Sequence, residues 1–262
     1  MKKFNYKYLL LTLAFSVTAL AIWAAKLHRD KQLNLNKKAA PAHTRVFTND
    51  ELYDRLAKVS TKMSVKADEL LLVGQIQLNN IVEGKEEKED PVAYIFSKKD
   101  KEFFYQMGKV AYYNNKKIGV VVDDDQHRID VLKPVDANAN MMPLANINNM
   151  PELVRSEGFV MTTTSEGNLQ TIVLKNKNHF TCKEYALTFD TLSYLPKRIF
   201  ARFTGDSNAE THNGERLLYV RFDKAEPQSN ISDYLLNAPI QLEAGQWKVQ
   251  PKYKSYQVFG LK

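Results

Sequence analysis

Side chains that could carry out chemistry are scattered along this sequence rather than grouped. None of the histidines belongs to an HExxH pair or to a His-Cys ligand set, and no serine lies in a nucleophile elbow. The ten glycines are dispersed, so no glycine-rich phosphate loop occurs. We therefore expect a protein that is not an enzyme and needs no cofactor. The five histidines are His28, His43, His127, His179 and His212.

Two further groups could react or bind metal, and both have a simpler interpretation. Cys182 is the only cysteine, so no internal disulfide can form, and the sequence gives no base to activate the thiol. We expect it to pack as a small, half-buried apolar group. The run Asp123-Asp124-Asp125 lacks the regular oxygen spacing and glycine of a calcium loop. It predicts a solvated turn and no metal site.

Aromatic and aliphatic residues at alternate positions are the remaining signal. Two interpretations stay open: these residues fill an ordinary core, or they line a pocket for a lipid or an acyl chain. Tyrosine hydroxyls need partners when they are buried, so several of them on one face would mark a half-polar pocket. The candidate ligand-binding residues on this apolar face are Leu72, Ile76, Tyr94, Phe96, Phe103, Tyr105 and Met107.

Short alternating strands between Leu70 and Leu236 must position these residues. Thr48 or Asn49 can cap a preceding helix, in which Leu52, Leu56, Val59 and Met63 recur at helical spacing. About nine strands in series predict a mainly β (α+β) fold. The expected architecture is an incomplete, strongly curved antiparallel β-barrel, closed by the N-terminal helix and short helices and preceded by one transmembrane helix.

The N-terminus predicts a membrane-directing segment within residues 1–25. Lys2 and Lys3 precede an uncharged apolar run over residues 8–25, which is close to the length that spans a bilayer. Ala19-Leu20-Ala21 would also suit a cleaved signal peptide. We favour an uncleaved anchor because the run is long for a signal peptide and basic residues follow it. The early lysines favour a domain outside the cytoplasm.

The distribution of charge argues against a nucleic-acid partner. The net charge is +7, but residues 1–45 hold nine Lys or Arg residues against the single acid Asp30. The other 217 residues hold 28 basic and 29 acidic residues, and a domain that gathers phosphates should carry its own basic surplus. We therefore divide the chain into the anchor, a basic linker at 26–47, a β domain at 48–236, and a C-terminal extension at 237–262 that packs on the domain.

Four stretches, taken in order, resemble the periplasmic lipoprotein carrier family of LolA-like and LolB-like proteins. They are a strand after the N-terminal helix, two strands around a polar turn, a later strand and turn, and a strand that ends in a hydrophobic segment. The resemblance covers about residues 48–236 and consists of patterns rather than invariant residues. The stretches are Leu71–Leu78, Phe103–Ile118, Tyr185–Ile199 and Tyr219–Leu236.

The resemblance implies an open β-barrel around an apolar cavity and a function in carrying lipid or lipoprotein. The expected function is therefore binding or transfer of a lipid, or of the acyl chains of lipoproteins, by a protein tethered in the bacterial inner membrane with its domain in the periplasm. Three features of the sequence favour the alternative, a structural component of an envelope-spanning assembly, such as a secretion system, that binds other envelope proteins. These are the retained anchor, the basic linker and the extra C-terminal segment. Secretion to the periplasm after signal cleavage is the alternative location.

Overall fold

The computed structural model describes residues 47–64, 67–82, 84–136, 154–204, 214–243 and 246–260. The predicted anchor at 8–25, all but the last residue of the linker, His28, His43 and His212 lie outside these ranges. No helix within them is long and apolar enough to cross a membrane.

The described residues include two helices and fifteen strands. They are α1 (Asn49–Lys62), β1 (Glu69–Val82), β2 (Lys85–Glu87), β3 (Val92–Lys99), β4 (Glu102–Met107), β5 (Val110–Asn114), β6 (Gly119–Asp123), β7 (Arg128–Leu132), β8 (Val160–Glu166), β9 (Leu169–Lys175), β10 (Cys182–Asp190), β11 (Pro196–Thr204), β12 (Glu215–Glu226), α2 (Ile231–Leu236), β13 (Ile240–Glu243), β14 (Gln246–Val249) and β15 (Gln257–Phe259).

Thirteen of these strands form one large sheet. Its order is β15-β7-β6-β5-β4-β3-β1-β12-β11-β10-β9-β8, with β2 paired to β1, and β13 and β14 form a separate hairpin. Pairing is antiparallel from β3 to β7 and from β8 to β12, whereas β15 joins β7 in parallel. The predicted mainly β class and the antiparallel sheet are confirmed, and within the described residues the sheet is open rather than a closed ring.

The chain divides into two compact units. Strands β1 and β12 each pass from one unit to the other. The first unit comprises the described residues up to Ser64, Ile76–Pro91, and the described residues from 154 to Arg221. The second comprises the described residues of Val65–Gln75 and Val92–Met142, together with those of Phe222–Lys262.

Helix α1 and strands β9 to β11 supply buried residues to the core of the first unit. The predicted cap is present: the Thr48 hydroxyl accepts from the Glu51 backbone N–H at 3.2 Å, and the Glu51 carboxylate accepts from the Thr48 backbone N–H at 2.9 Å. Arg55 ties the helix to the sheet by donating to buried Gln170 at 2.7 Å. The four residues predicted at helical spacing are buried: Leu52, Leu56, Val59 and Met63. The buried residues of the strands include Ile172, Leu174, Leu187, Phe189 and Ile199.

In the second unit, a meander of β3 to β7 is covered on one face by α2 and the C-terminal segment. The Tyr234 ring of α2 stacks on Phe104 at 4.2 Å between ring centroids. Tyr253, which follows the hairpin of β13 and β14, is buried in the same apolar cluster. This cluster consists of Phe104, Tyr113, Ile118, Val120, Val122, Ile129, Ile231, Ala238, Ile240 and Tyr253.

Three details differ from the sequence-based expectation. Strand β1 continues to Val82, beyond the predicted end at Leu78, because Asn79 is buried and its side chain donates to Glu86 at 2.6 Å. The many charges in residues 81–90 predict a turn, but Lys85–Glu87 form β2. The sequence of residues 238–262 predicts one or two strands or a segment lying across the sheet; the described residues of this segment form three strands, and the last extends the main sheet beside β7.

Candidate functional site

Five of the predicted binding residues lie on one face of β3 and β4. Tyr94 stands opposite Met107, and Phe96 stands opposite Tyr105, in the antiparallel register of the two strands. Phe103 lies two residues before Tyr105 and so shares its face. Tyr112 of β5 stands opposite Tyr105 and continues the row. We refer to these six residues, Tyr94, Phe96, Phe103, Tyr105, Met107 and Tyr112, as the aromatic face.

The rings of the aromatic face are packed against one another. Phe103 lies 6.5 Å from Phe96 and 5.2 Å from Tyr112, measured between ring centroids. Tyr94 lies 6.1 Å from Tyr105 and 6.2 Å from Phe222, in both cases edge to face. These separations are those of aromatic side chains in contact. Tyr94, Phe96 and Phe103 are fully buried, so this part of the face resembles a filled core.

One polar group in this packed region, the buried hydroxyl of Tyr94, lacks a hydrogen-bond partner among the described residues. Burial raises the pKa of Tyr94 well above its ordinary value, and that of Tyr105 also rises for the same reason, so both hydroxyls are neutral donors. Among the described residues, the Tyr105 hydroxyl has the Met107 sulfur as its one acceptor, at 3.5 Å. Tyr94 therefore has no hydrogen-bond acceptor among the described residues, and Tyr105 has only a weak sulfur acceptor.

The rim of the aromatic face is more open than its centre. Tyr105, Met107 and Tyr112 are half-buried. A methyl group at Gly119 would lie 2.6 Å from the Tyr112 hydroxyl, so the absence of a side chain there gives the phenol its place on the face. The two remaining predicted residues lie on β1: Leu72 is buried in the second unit and Ile76 is buried in the first.

A second arrangement, which sequence reasoning missed, lies in the first unit. We call it the charged cluster; it consists of Lys175, Lys183, Glu184, Arg202 and Glu215. Arg202 binds Glu215 at 2.6 Å, while its Nη1 lies 3.7 Å from Glu184. Lys175 lies 2.6 Å from Glu184, and Lys183 lies 3.1 Å from Glu215. Three cations thus surround two carboxylates on neighbouring strands.

The two carboxyl groups of the charged cluster differ in acidity. Burial raises the pKa of Glu184 to about 7, although the Lys175 hydrogen bond and the charges of Lys175 and Arg202 act against this rise. Burial also opposes ionisation of Glu215, but the hydrogen bonds from Arg202 and Lys183 outweigh it and lower its pKa. Hydrogen bonding therefore favours the ionised form of Glu215, whereas Glu184 changes its charge near neutral pH.

Beside the charged cluster lies a cavity of about 460 Å³ that opens to solvent. Its lining is mixed, with three charged side chains, one threonine, one isoleucine and two glycines. Ile81 and Gly84 are far in sequence from the other five lining residues, so no local motif predicts the cavity. The lining residues are Ile81, Gly84, Lys183, Arg202, Thr204, Gly214 and Glu215.

The remaining candidates for chemistry are held in structural roles. His179 Nε2 lies 2.8 Å from a Glu157 carboxylate oxygen, and its Nδ1 accepts from the Cys182 backbone N–H at 3.1 Å. This arrangement fixes the loop between β9 and β10.

Cys182 is fully buried rather than half-buried, and burial raises the pKa of its thiol, which donates to the Arg202 carbonyl. Asp123 caps its own turn by accepting from two backbone N–H groups. No group of three or more His, Cys, Asp or Glu within the described ranges is placed to hold a metal ion.

Comparison with known proteins gives only distant structural likeness. No protein-family model matches the chain, and no curated protein sequence matches it. It is similar to a conserved protein of Thermus thermophilus, with 8% identity and a TM-score of 0.35 over 80% of this chain and 98% of that one. It is also similar to a DUF1329 family protein of Desulfovibrio piger, with 6% identity and a TM-score of 0.30 over 71% of this chain and 94% of that one.

A third similar structure is that of the Pseudomonas aeruginosa MucA/MucB complex. The identity is 11% and the TM-score 0.30, over 77% of this chain and 62% of the matched chain. Similarity at this level assigns no function to this chain. The resemblance to lipoprotein carriers and the ligand role of the seven predicted residues therefore stay predictions.

Proposed function

We propose that this chain is a membrane-tethered periplasmic binding protein that holds a lipid, or the acyl chains of a lipoprotein, against the aromatic face without covalent chemistry. The observation that carries the proposal is the Tyr94 hydroxyl, which is buried among rings with no acceptor among the described residues. An unpaired buried hydroxyl costs about 1–3 kcal/mol. The carbonyl of an ester-linked acyl chain would supply the missing acceptor.

The surroundings of Tyr94 suit such a ligand. Tyr105 and Met107 flank it and are half-buried, so their displacement would give a ligand access to the Tyr94 hydroxyl. Methionine is flexible and adapts to ligands of irregular shape. An acyl chain entering between Tyr105 and Met107 would meet rings along its length and one hydroxyl at its polar end.

The tether belongs to the same proposal. An apolar run at 8–25 in the inner membrane, followed by the basic linker at 26–47, would hold the domain close to the lipids it binds. This arrangement would favour transfer at the membrane surface over diffusion across the periplasm. An N-terminus at Ile22 in the mature protein, detected by intact mass, would refute the tether.

The experiment compares full-length chain and variants by native mass spectrometry and lipid extraction. Tyr94→Phe removes only the hydroxyl, so we expect it to retain about tenfold less lipid while the lipid-free protein becomes about 1 kcal/mol more stable. Tyr105→Asp places a charge at the rim and should abolish binding. Tyr113→Phe is the matched control, because Tyr113 lies in the apolar cluster on the other face of the same strands.

Two results would contradict the proposal. One is a wild-type chain purified from membranes without lipid. The other is equal lipid retention by wild type and Tyr94→Phe in proteins of equal cooperativity of unfolding. A loss of lipid in Tyr113→Phe as large as that in Tyr94→Phe would show that the effect reports stability rather than binding.

A second candidate function is an interaction component of an envelope assembly. The observation that favours it is the exposure of apolar side chains in the first unit: Phe180 is 83% exposed and Leu192 is 78% exposed. A photo-crosslinking residue at position 180 should then form a discrete adduct with another envelope protein in cells. The same residue at buried position 104 should not, and a chain that carries no lipid but forms this adduct would favour the second function.

A further inference from the structure

The cavity beside the charged cluster is independent of the aromatic face and has the features of an anion site. We infer that it binds the phosphate group of a small molecule, held by Lys183 and Arg202. Both cations line the cavity and both are about two-thirds buried. Partial removal from water strengthens their attraction for an anion, and a guanidinium beside an ammonium is well suited to phosphate oxygens.

Both cations have donor capacity that the described contacts do not use. Arg202 directs Nε and Nη2 to Glu215, but its Nη1 is 3.7 Å from Glu184, which is too long for a hydrogen bond. Lys183 has three N–H donors and uses one for Glu215. A phosphate in the cavity that engages such donors would leave the bonds to Glu215 intact.

The balance of charge favours an anion. Three cations face two carboxylates, which leaves a surplus of one positive charge when both acids are ionised. Glu184 loses its charge as the pH falls through about 7, so the surplus then rises to two. The groups that face Glu184 are Lys175 of β9, Arg202 of β11, Glu215 of β12 and the neighbouring thiol of Cys182.

The shape of the cavity sets the size of the ligand. A volume of about 460 Å³ exceeds what a bare phosphate fills and lies in the range of small-molecule sites. Gly84 has nothing within 4 Å of the position of a Cβ, so the wall is open there. Ile81 supplies one apolar contact. These features fit a phosphate carried on a small organic group.

The test is calorimetric titration of the full-length chain in nonionic detergent with inorganic phosphate and with glycerol 3-phosphate. We expect binding by wild type and about tenfold weaker binding by Lys183→Gln, which loses a charge-assisted hydrogen bond. Glu215→Gln should bind about tenfold more tightly, because the competing carboxylate is removed. Lys109→Gln is the matched control, since Lys109 pairs with exposed Asp125 in the second unit.

Two further arms define the site. Sulfate keeps its charge between pH 6 and 8, so tighter sulfate binding at pH 6 in wild type, absent in Glu184→Gln, would support the charge argument. Vesicles of phosphatidylcholine with and without phosphatidic acid distinguish a lipid headgroup from a free phosphate ester, and only binding sensitive to Lys183→Gln counts for this site. The inference is overturned if wild type binds no phosphate, or if Glu215→Gln and Lys183→Gln change affinity in the same direction.

Discussion

In the second unit, facing strands place rings opposite one another, whereas in the first unit they place acids opposite bases. Tyr105 stands between Phe96 and Tyr112, and Arg202 stands opposite Glu184. The aromatic face gains stability from the apolar area it buries, which does not depend on pH. The charged cluster depends on complete pairing of half-buried ions, because a single missing partner leaves a desolvated charge.

The comparison also separates two kinds of binding. The aromatic face has one unpaired hydroxyl in an apolar setting, which suits a long chain with one polar group. The charged cluster has a surplus of donors around an open cavity, which suits a compact anion. We therefore expect the aromatic face and the charged cluster to respond differently to substitution, and the two responses can be measured independently.

The largest expected effect is that of Phe103→Ala. Phe103 is fully buried between Phe96 and Tyr112, so truncation should lower the free energy of unfolding by about 3–5 kcal/mol, measured by urea denaturation. Phe180→Ala, at an exposed ring, is the control and should change it by less than about 0.5 kcal/mol. A cost below about 1 kcal/mol at Phe103 would show that the aromatic face surrounds a hollow space.

The next effect is that of Arg202→Met, which keeps the length of the side chain but removes its charge. Glu215 and Glu184 would lose a shared cation, and we expect a loss of about 2 kcal/mol. The cost is smaller than that of a fully buried pair because a third of the Arg202 side chain reaches water. Lys109→Met breaks an exposed pair with Asp125 and should leave the free energy of unfolding almost unchanged. Equal costs for the two variants would remove the distinction between the cluster and ordinary surface pairs.

Local sequence signals predicted the elements but not the charged cluster. The Thr48 and Glu51 capping box and the period-two pattern of β1 follow from neighbouring residues, and the structure confirms both. The shared face of Tyr94 and Tyr105 also follows from alternation across one hairpin. Lys175 and Glu215, by contrast, come from β9 and β12 and join one cluster, through Glu184 and Arg202, only when the sheet forms.

One weaker signal could have pointed to the charged cluster. Glu184 occupies an inward position in the alternating pattern of β10, where a carboxyl needs a partner, and that position predicts a buried ion pair without naming the base. The parallel pairing of Val258 with Ile129, by contrast, joins residues that are far apart in the sequence. This contact depends on the path of the chain after the hairpin of β13 and β14. Local sequence patterns do not determine that path.

A third effect separates the two faces by pH. The pKa of Glu184 is about 7 in the folded chain against 4.5 as its ordinary value, so the folded state holds more protons between these values. Stability contributed by this group is therefore full below pH 4.5 and falls as the pH rises through 7, by about 1–2 kcal/mol. Urea denaturation at pH 5 to 8 should show this fall in wild type relative to Glu184→Gln. Parallel curves for the two proteins would contradict it, and Phe103→Ala should keep the wild-type pH dependence.

The smallest effect concerns the glycine beneath Tyr112. Gly119→Ala would bring a methyl group to 2.6 Å from the Tyr112 hydroxyl, so the phenol must turn away, at a cost of about 1 kcal/mol in unfolding free energy. Gly214→Ala beside the charged cluster meets only the Ile81 carbonyl, at 3.4 Å, and should cost less. Near-ultraviolet circular dichroism should change in the first variant and not in the second. An unchanged spectrum in Gly119→Ala would mean that the Tyr112 ring shifts without resistance from its neighbours. The rim of the aromatic face would then adapt to a substitution, although its centre is tightly packed.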